Sequence, residues 1–425
     1  MKIKSISKIY QETPVYDIQT GTGNFFAEGV LVHNCYSEAT LTTPFGGYCP
    51  VGCSFCYINN GSRGYRATGI PTVDPNYPEK FQKQFKKMRI SGAGYMTSFS
   101  EAFHILEDTY HVTQRLTDVF LEDELPIFYC TRRLPAEWAI EALRANPYSY
   151  IQWSVNTSNP VDYKRMSPGA AKLDDIFRYV ERLSAMKVYT SFQCNPIHPG
   201  ITTLDDLVEL VRISGQAGLR HIIFKFVEQV ANARNVIVER LRSRRFDPKK
   251  VAEFDKLFNQ VIGGVYTIQQ DVRIAWLDEL LEATRKANIT MSLCYEYYAD
   301  GKAGSNMAPY YTTSDQCHGR GVPVHYRPAL GEKFQPFPCY RKGCLYCEET
   351  GTQACDNPDL LQAKALEYKD LQRITIEEPK EGWDWYVDDS CAHPGVVLWD
   401  EARNPGLKTD AQLWGWEKPW EAEND

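Results

Sequence analysis

From residue 39 onward, short apolar runs alternate with amphipathic stretches. ATLTT (39–43), GYMTS (94–98), PIFYCT (126–131), YIQWSV (150–155), VYTSFQC (188–194) and HIIFKF (221–226) read as strands. The stretches 77–90, 109–122, 135–145, 172–186 and 203–217 between them carry the 3.6-residue spacing of helices. This alternation predicts βαβ units in a parallel sheet or barrel, an α/β fold with its reactive residues at the C-terminal ends of the strands. Residues 1–34 follow another pattern: VYDIQT and NFFAEGVLVHN, joined by Gly-rich turns, predict β-structure. Residues 229–262 read as helical and begin strongly basic. After ITMSLC (289–294) comes an irregular, cysteine-rich region to about 356, then an acidic tail holding six of the nine tryptophans. The division this implies is 1–34, 35–290 and 291–425.

Composition narrows the setting. A chain of 425 residues, 43% hydrophobic and 24% charged, is a globular protein of two or three domains. No apolar run approaches the ~20 residues needed to span a bilayer, and the N-terminus lacks a signal peptide's apolar core, so no membrane partner and a cytoplasmic location are expected. The net charge of −7 argues against a surface that grips nucleic acid everywhere, while leaving room for a local basic groove. Thirteen cysteines in a reducing compartment are better read as metal ligands than as disulfides.

Three of them, Cys49, Cys53 and Cys56, follow the first strand in CPVGCSFCY. Thiolates this close can wrap one face of an iron–sulfur cluster, and three ligands leave one iron open to an exchangeable group. A zinc knuckle short of its fourth ligand, or three unrelated thiols, are the plainer readings. CPVGCSFCY resembles the cluster motif of the radical S-adenosylmethionine (radical SAM) superfamily, including the aromatic Tyr57 after the third cysteine. The resemblance implies a partial (β/α)6-type barrel carrying a 4Fe–4S cluster. It also implies S-adenosylmethionine bound at the open iron, a single-electron donor, and cleavage of SAM to a 5′-deoxyadenosyl radical. WSVNTSNPVDYKRMSPGAAKLDDIFRYVERLSAMKV and FQCNPIHPGI resemble the core of spore photoproduct lyase and its DNA-repair-photolyase-like relatives, over residues 39 to 226. Carried over, Ser154 and Asn156 would contact the SAM ribose or methionine, Arg132 matches the basic residue after the third strand, and Ser98 and Glu101 stand where the superfamily binds the SAM amino group. The lyase's hydrogen-donating cysteine has no counterpart in TSFSEAF, which implies a different reaction on the same scaffold.

A second thiol group, Cys339, Cys344 and Cys347 with Cys317 or Cys355 as a fourth, is compact enough for metal. An auxiliary iron–sulfur cluster and a zinc ion both suit soft ligands. Cys130, Cys194 and Cys391 read as ordinary thiols.

VYDIQTGTGNFFAEGVLVHNC resembles the C-terminal end of an intein. Cys35 would supply the nucleophile for transesterification, Asn34 would cyclise and cleave behind itself, and His33, with Asp17 upstream, would move protons. The block usually carries a histidine where this chain has Gly23. The simplest expectation is a split intein that splices to a separately encoded N-terminal piece.

For substrate, the lyase-like core and the basic run ARNVIVERLRSRRFDPKK (233–250) favour a nucleic-acid base, with DNA as partner. A peptide or small molecule is the alternative, and a non-catalytic zinc-bound structural protein a third.

Overall fold

The computed structural model describes residues 24–27, 30–33, 39–42, 44–56, 70–88, 90–97, 100–300, 307–314, 317–319, 322, 325–327 and 330–336. Its centre is a seven-stranded parallel sheet whose spatial order follows the chain. The strands are β1 (Ala39–Thr42), β2 (Ala93–Met96), β3 (Ile127–Thr131), β4 (Tyr150–Trp153), β5 (Tyr189–Ile197), β6 (His221–Phe226) and β7 (Thr290–Leu293). Helices α1 (Tyr77–Phe85), α2 (Val112–Glu122) and α3 (Glu137–Ala145) make the first three crossovers. α4 (Pro160–Met166) and α5 (Leu173–Ala185) share the fourth, and α6 (Leu204–Gln216) makes the fifth. α7 (Ala231–Ser243), α8 (Pro248–Leu257) and α9 (Gln270–Lys286) lie in the sixth. β7 extends the six-strand expectation by one strand.

Side-chain alternation gives the sheet two unlike faces. Ile151, Trp153, Phe192, Ile222, Phe224 and Met291 bury one face in the main hydrophobic core with the helices. On the other, Tyr95, Phe128 and Tyr150 stack across β2, β3 and β4 at centroid distances of 4.4 and 4.2 Å. Beyond that aromatic floor runs a polar row set by strand register: Cys130 beside Gln152, then Ser191, His221 and Thr290.

The stretch 229–262 departs from a continuous helical reading. It holds α7 and α8, but Glu228–Val230, Gln260–Ile262 and Val265–Thr267 form a three-stranded antiparallel sheet. The cause is local. Gly263 and Gly264 take positive φ of 56° and 83°, the two-residue turn that a tight hairpin needs, and β-branched Val261, Ile262 and Val265 flank it.

The start of the cysteine-rich stretch packs against the sheet. The carbonyl of Cys317 accepts from Ser292 Oγ at 2.6 Å and from His221 Nε2 at 3.0 Å, and His318 packs edge-on against Phe128. Both His221 and Cys317 therefore lie toward the N-terminal ends of the strands. Upstream, Asn24–Ala27 and Val30–His33 pair as an antiparallel hairpin that sets His33 opposite Asn24. No helix among the described residues is long and apolar enough to cross a membrane.

Two fully buried histidines make stability pH-dependent. Burial pushes both His198 and His221 down to about 3. The unfolded chain therefore binds protons from about pH 6.5 downward that the folded chain refuses until about pH 3. Stability present above that window is lost through it, at about 1.4 kcal/mol per pH unit for each histidine. Urea midpoints measured from pH 7 to pH 4 are expected to fall, and His221→Gln should flatten that slope by about half of the histidine contribution.

Candidate active site at the strand C-termini

The cysteine loop follows β1 and the short strand Phe45–Gly46. It has no regular structure from Gly47 to Cys56, so its thiols depend on outside supports. The crossover after α4 supplies most of them. Ser54 N donates to the Met166 carbonyl at 2.9 Å, and Gly169 N donates to the Val51 carbonyl at 2.9 Å. Gly169 is there because nothing larger fits: a Cβ at that position would stand 1.9 Å from the Pro50 carbonyl oxygen. The described cysteines, Cys49, Cys53 and Cys56 among them, form no disulfide.

Arg132 leaves the end of β3 and is 8% exposed. Its guanidinium donates to the carbonyls of Ser154 (2.8 Å) and Asn195 (3.2 Å), locking the ends of β4 and β5 to β3. It also donates to Ser167 Oγ at 3.3 Å, and Ser167 Oγ in turn donates to Cys53 Sγ at 3.4 Å. The guanidinium carbon lies 5.1 Å from the centre of the Phe55 ring. Burial pushes the Cys53 thiol up, and the Arg132 charge and the Ser167 hydrogen bond work against that rise. A cation and a hydroxyl beside a ligand sulfur are the levers that set a cluster's potential.

Glu101 is 2% exposed and turned inward. Its carboxylate accepts from Phe103 N (3.1 Å), Arg132 N (3.1 Å) and the Thr131 hydroxyl. Burial raises its carboxyl above the usual range, against those bonds. It braces the turn that carries Arg132. Ser154, half-buried, bonds its backbone N to the Thr131 carbonyl at 2.9 Å. Asn156 is fully buried: Nδ2 reaches the Pro196 carbonyl (3.3 Å) and Met166 Sδ (3.1 Å), while Oδ1 has no partner.

The structure thus brings Cys53, Arg132, Ser154, Asn156 and Glu101 to one end of the sheet. Ser98 and Tyr57 lie outside the described residues, as do Asp17, Asn34, Cys35, Cys339, Cys344, Cys347, Cys355 and Cys391. His33 is described only as a strand position, and Cys317 sits at the opposite end of the sheet from the cysteine loop. Cys130 is not simply a core thiol: its Sγ faces Gln193 Oε1 at 3.8 Å on the polar face, and burial holds it protonated, up to about 11. Cys194 is fully buried on the apolar face.

Thr97, Ser100, Ser167, Gly169 and Tyr163 belong to the same neighbourhood and were not singled out by number from the sequence. Thr97 Oγ1 and Ser100 Oγ are buried without a partner just past β2. The Ser-Pro-Gly of 167–169 was a readable signal; lone hydroxyls carry none.

Soft thiol donors beside a cation fit an iron–sulfur cluster, and the orphaned oxygens of Asn156, Thr97 and Ser100 fit a polar ligand across the strand ends. Among the described residues, no group of three His, Cys, Asp or Glu side chains converges on a single ion. Thiolates that each take a different iron of a cluster need no such convergence.

No protein-family model matches the chain. A radical SAM Nα-GlyT isomerase of Pseudomonas phage M6 is 40% identical over 363 residues, 83% of this chain and 75% of that protein. Among solved structures, a spore photoproduct lyase mutant with bound AdoMet and dinucleoside spore photoproduct is 15% identical, covering 60% of this chain and 74% of its own, with a TM-score of 0.43. SuiB of Streptococcus suis bound to S-adenosylmethionine is 12% identical, covering 68% of this chain and 61% of its own, with a TM-score of 0.40.

Gly169→Ala should push the Pro50 carbonyl away and misplace the thiols. Iron content per chain after anaerobic reconstitution is expected to fall several-fold while far-UV circular dichroism stays near wild type. Full iron loading in the variant would show that the loop does not depend on this contact.

Proposed function

The chain belongs to the radical SAM superfamily, and from that premise we propose that it is an isomerase acting on Nα-GlyT or a close relative of it, which, with the lyase-like core, we take to be a modified nucleic-acid base. The family implies a 4Fe–4S cluster and SAM. Cys49, Cys53 and Cys56 would hold the cluster. Ser154 and Asn156, with Thr97 and Ser100, would meet SAM. The cluster, when bound, supplies the electron that cleaves SAM to a radical able to take a hydrogen atom from substrate.

This chain's own residues do the rest. Arg132 fixes three strand ends at once and holds positive charge beside Cys53. Asn156 Oδ1, buried and without a partner, is an acceptor waiting for a donor. The aromatic floor of Tyr95, Phe128 and Tyr150 closes the polar face below and keeps water from a reactive intermediate. An isomerase returns every atom it removes, so the missing lyase-type cysteine after β2 is no obstacle to this reaction.

The identity to the phage isomerase across most of both chains carries this reading. The test is anaerobic: cluster-loaded protein, a one-electron reductant, SAM and Nα-GlyT. The expected product has unchanged mass and a new retention time and forms only when SAM is present; because the abstracted hydrogen is returned, SAM is regenerated and 5′-deoxyadenosine accumulates only from uncoupled cleavage. Cys53→Ala should lose at least a hundredfold of both activities. A product of different mass would replace isomerisation with another radical reaction. SAM cleavage with Nα-GlyT untouched would remove the substrate assignment alone. The distal thiols Cys339, Cys344 and Cys347 would hold a second soft-metal site, cluster or zinc.

We also infer that residues 1–34 act as the C-terminal part of an intein, on the resemblance of VLVHNC and NFFAEG at their mutual spacing. Mass spectrometry of protein matured in its native host should find Cys35 joined by a peptide bond to a separately encoded N-terminal segment, and Asn34→Ala should abolish that spliced form. Persistence of the spliced form in that variant would refute Asn34 cyclisation.

A further inference from the structure

The cations of 233–250 fall into two groups. Arg234 is spent on the Phe258 carbonyl (2.9 Å) and Asp255 (2.8 Å). Arg242 pairs with Glu239 and lies 3.9 Å from Asp255. Lys250 reaches Asp162 at 2.8 Å. These charges are neutralised within the fold. Arg244 is placed otherwise: its Nη2 donates to the Gly52 carbonyl at 3.1 Å, on the cysteine loop one residue before Cys53. One helical turn earlier on the same face of α7 stands Arg240, whose Nη1 is buried with no hydrogen-bond partner. Arg245 and Lys249 are exposed, and neither makes an ion pair among the described residues. From α4, Arg165 lies 5.8 Å from the centre of the Phe246 ring and 3.7 Å from Asp162.

Acid is scarce here. Asp162 is shared between Lys250 and Arg165, and the Asp247 carboxylate caps α8 through Lys249 N at 2.8 Å. A buried guanidinium nitrogen without an acceptor is costly, and Arg240 as a whole is only half-buried, so its guanidinium is both short of an acceptor and open to an oxygen anion from outside the chain. A planar guanidinium is the group that best grips a phosphate.

We propose that Arg240, flanked by Arg244, Arg245 and Lys249, is a phosphate subsite that seats the backbone of a DNA substrate beside the cluster loop. This rests on the nucleic-acid reading above and adds that the base is processed while carried on a polymer. The neutralised Arg234, Arg242 and Lys250 take no part, although sequence alone makes them look equivalent.

The test uses the cluster-loaded full chain and a fluorescein-labelled, thymine-containing duplex oligonucleotide. Anisotropy titrations over a range of salt compare wild type, Arg240→Gln, and Lys286→Gln, an exposed control on α9 that pairs with Glu282. Arg240→Gln is expected to weaken DNA binding about tenfold and to lower the slope of log K against log salt by about one. Lys286→Gln should change neither. SAM cleavage without DNA should stay at the wild-type rate in both. The thermal midpoint of Arg240→Gln should not fall, since the guanidinium nitrogen that is removed is buried and makes no hydrogen bond. Unchanged DNA affinity and slope would overturn the subsite. So would loss of DNA-independent SAM cleavage, which would assign Arg240 to the cofactor. Weaker binding of thymidine monophosphate with unchanged DNA affinity would overturn the polymer assignment. Failure of isomerisation with the Arg240 effect intact would sink the reaction and spare the subsite.

Discussion

The site hangs on the contact between an irregular cysteine loop and the turn after α4. A loop without ladder hydrogen bonds cannot hold three thiols at fixed spacing by itself. Its backbone polar groups are satisfied instead by Met166 and Gly169, and the fit is so close that Gly169 has no room for a β-carbon. Arg132 completes the clamp. One side chain joins the ends of β3, β4 and β5 and reaches Cys53 through Ser167. Because its charge is buried, every one of those partners matters: losing an acceptor would leave a desolvated cation. Glu101 beneath it fixes the turn from the other side.

The far edge of the sheet is tied in the same manner. Lys225, at the end of β6, donates to the carbonyls of Cys294 (3.1 Å) and Tyr295 (3.2 Å), just past β7. The Glu296 carboxylate accepts from Phe226 N at 2.6 Å and pairs with Arg273 at 2.8 Å in a fully buried ion pair. Two parts of the strand row, β3–β5 and β6–β7, are therefore pinned by buried charges that make several bonds each. On the polar face Cys130, Gln152 and Ser191 form one row in register with His221, and Gln193 lies two residues further along β5, beyond the aromatic floor. That arrangement suits radical chemistry, which needs a substrate held by directional bonds and walls that offer few reactive partners.

The strands were legible because parallel strands covered on both sides read as apolar runs, and HIIFKF has the bounds it shows in the sheet. The superfamily was legible from three cysteines whose spacing has few other uses. The segment 229–262 was misread at its ends because helical and strand patterns overlap there, and the two glycines that decide for a hairpin act through φ angles that composition does not reveal. The basic run looked uniform in sequence; only the fold separates cations neutralised by Asp255, Glu239 and Asp162 from Arg240 and Arg244.

The sequence by itself determined the αβ alternation, the three-thiol loop and the polar residues that follow each strand, since these depend on neighbours close along the chain. Tertiary structure alone decided which of those residues meet. Gly52 and Arg244, Asp162 and Lys250, and His221 and Cys317 are partners across long separations. Their meeting depends on how crossovers stack on the sheet, a global packing outcome that no local pattern encodes.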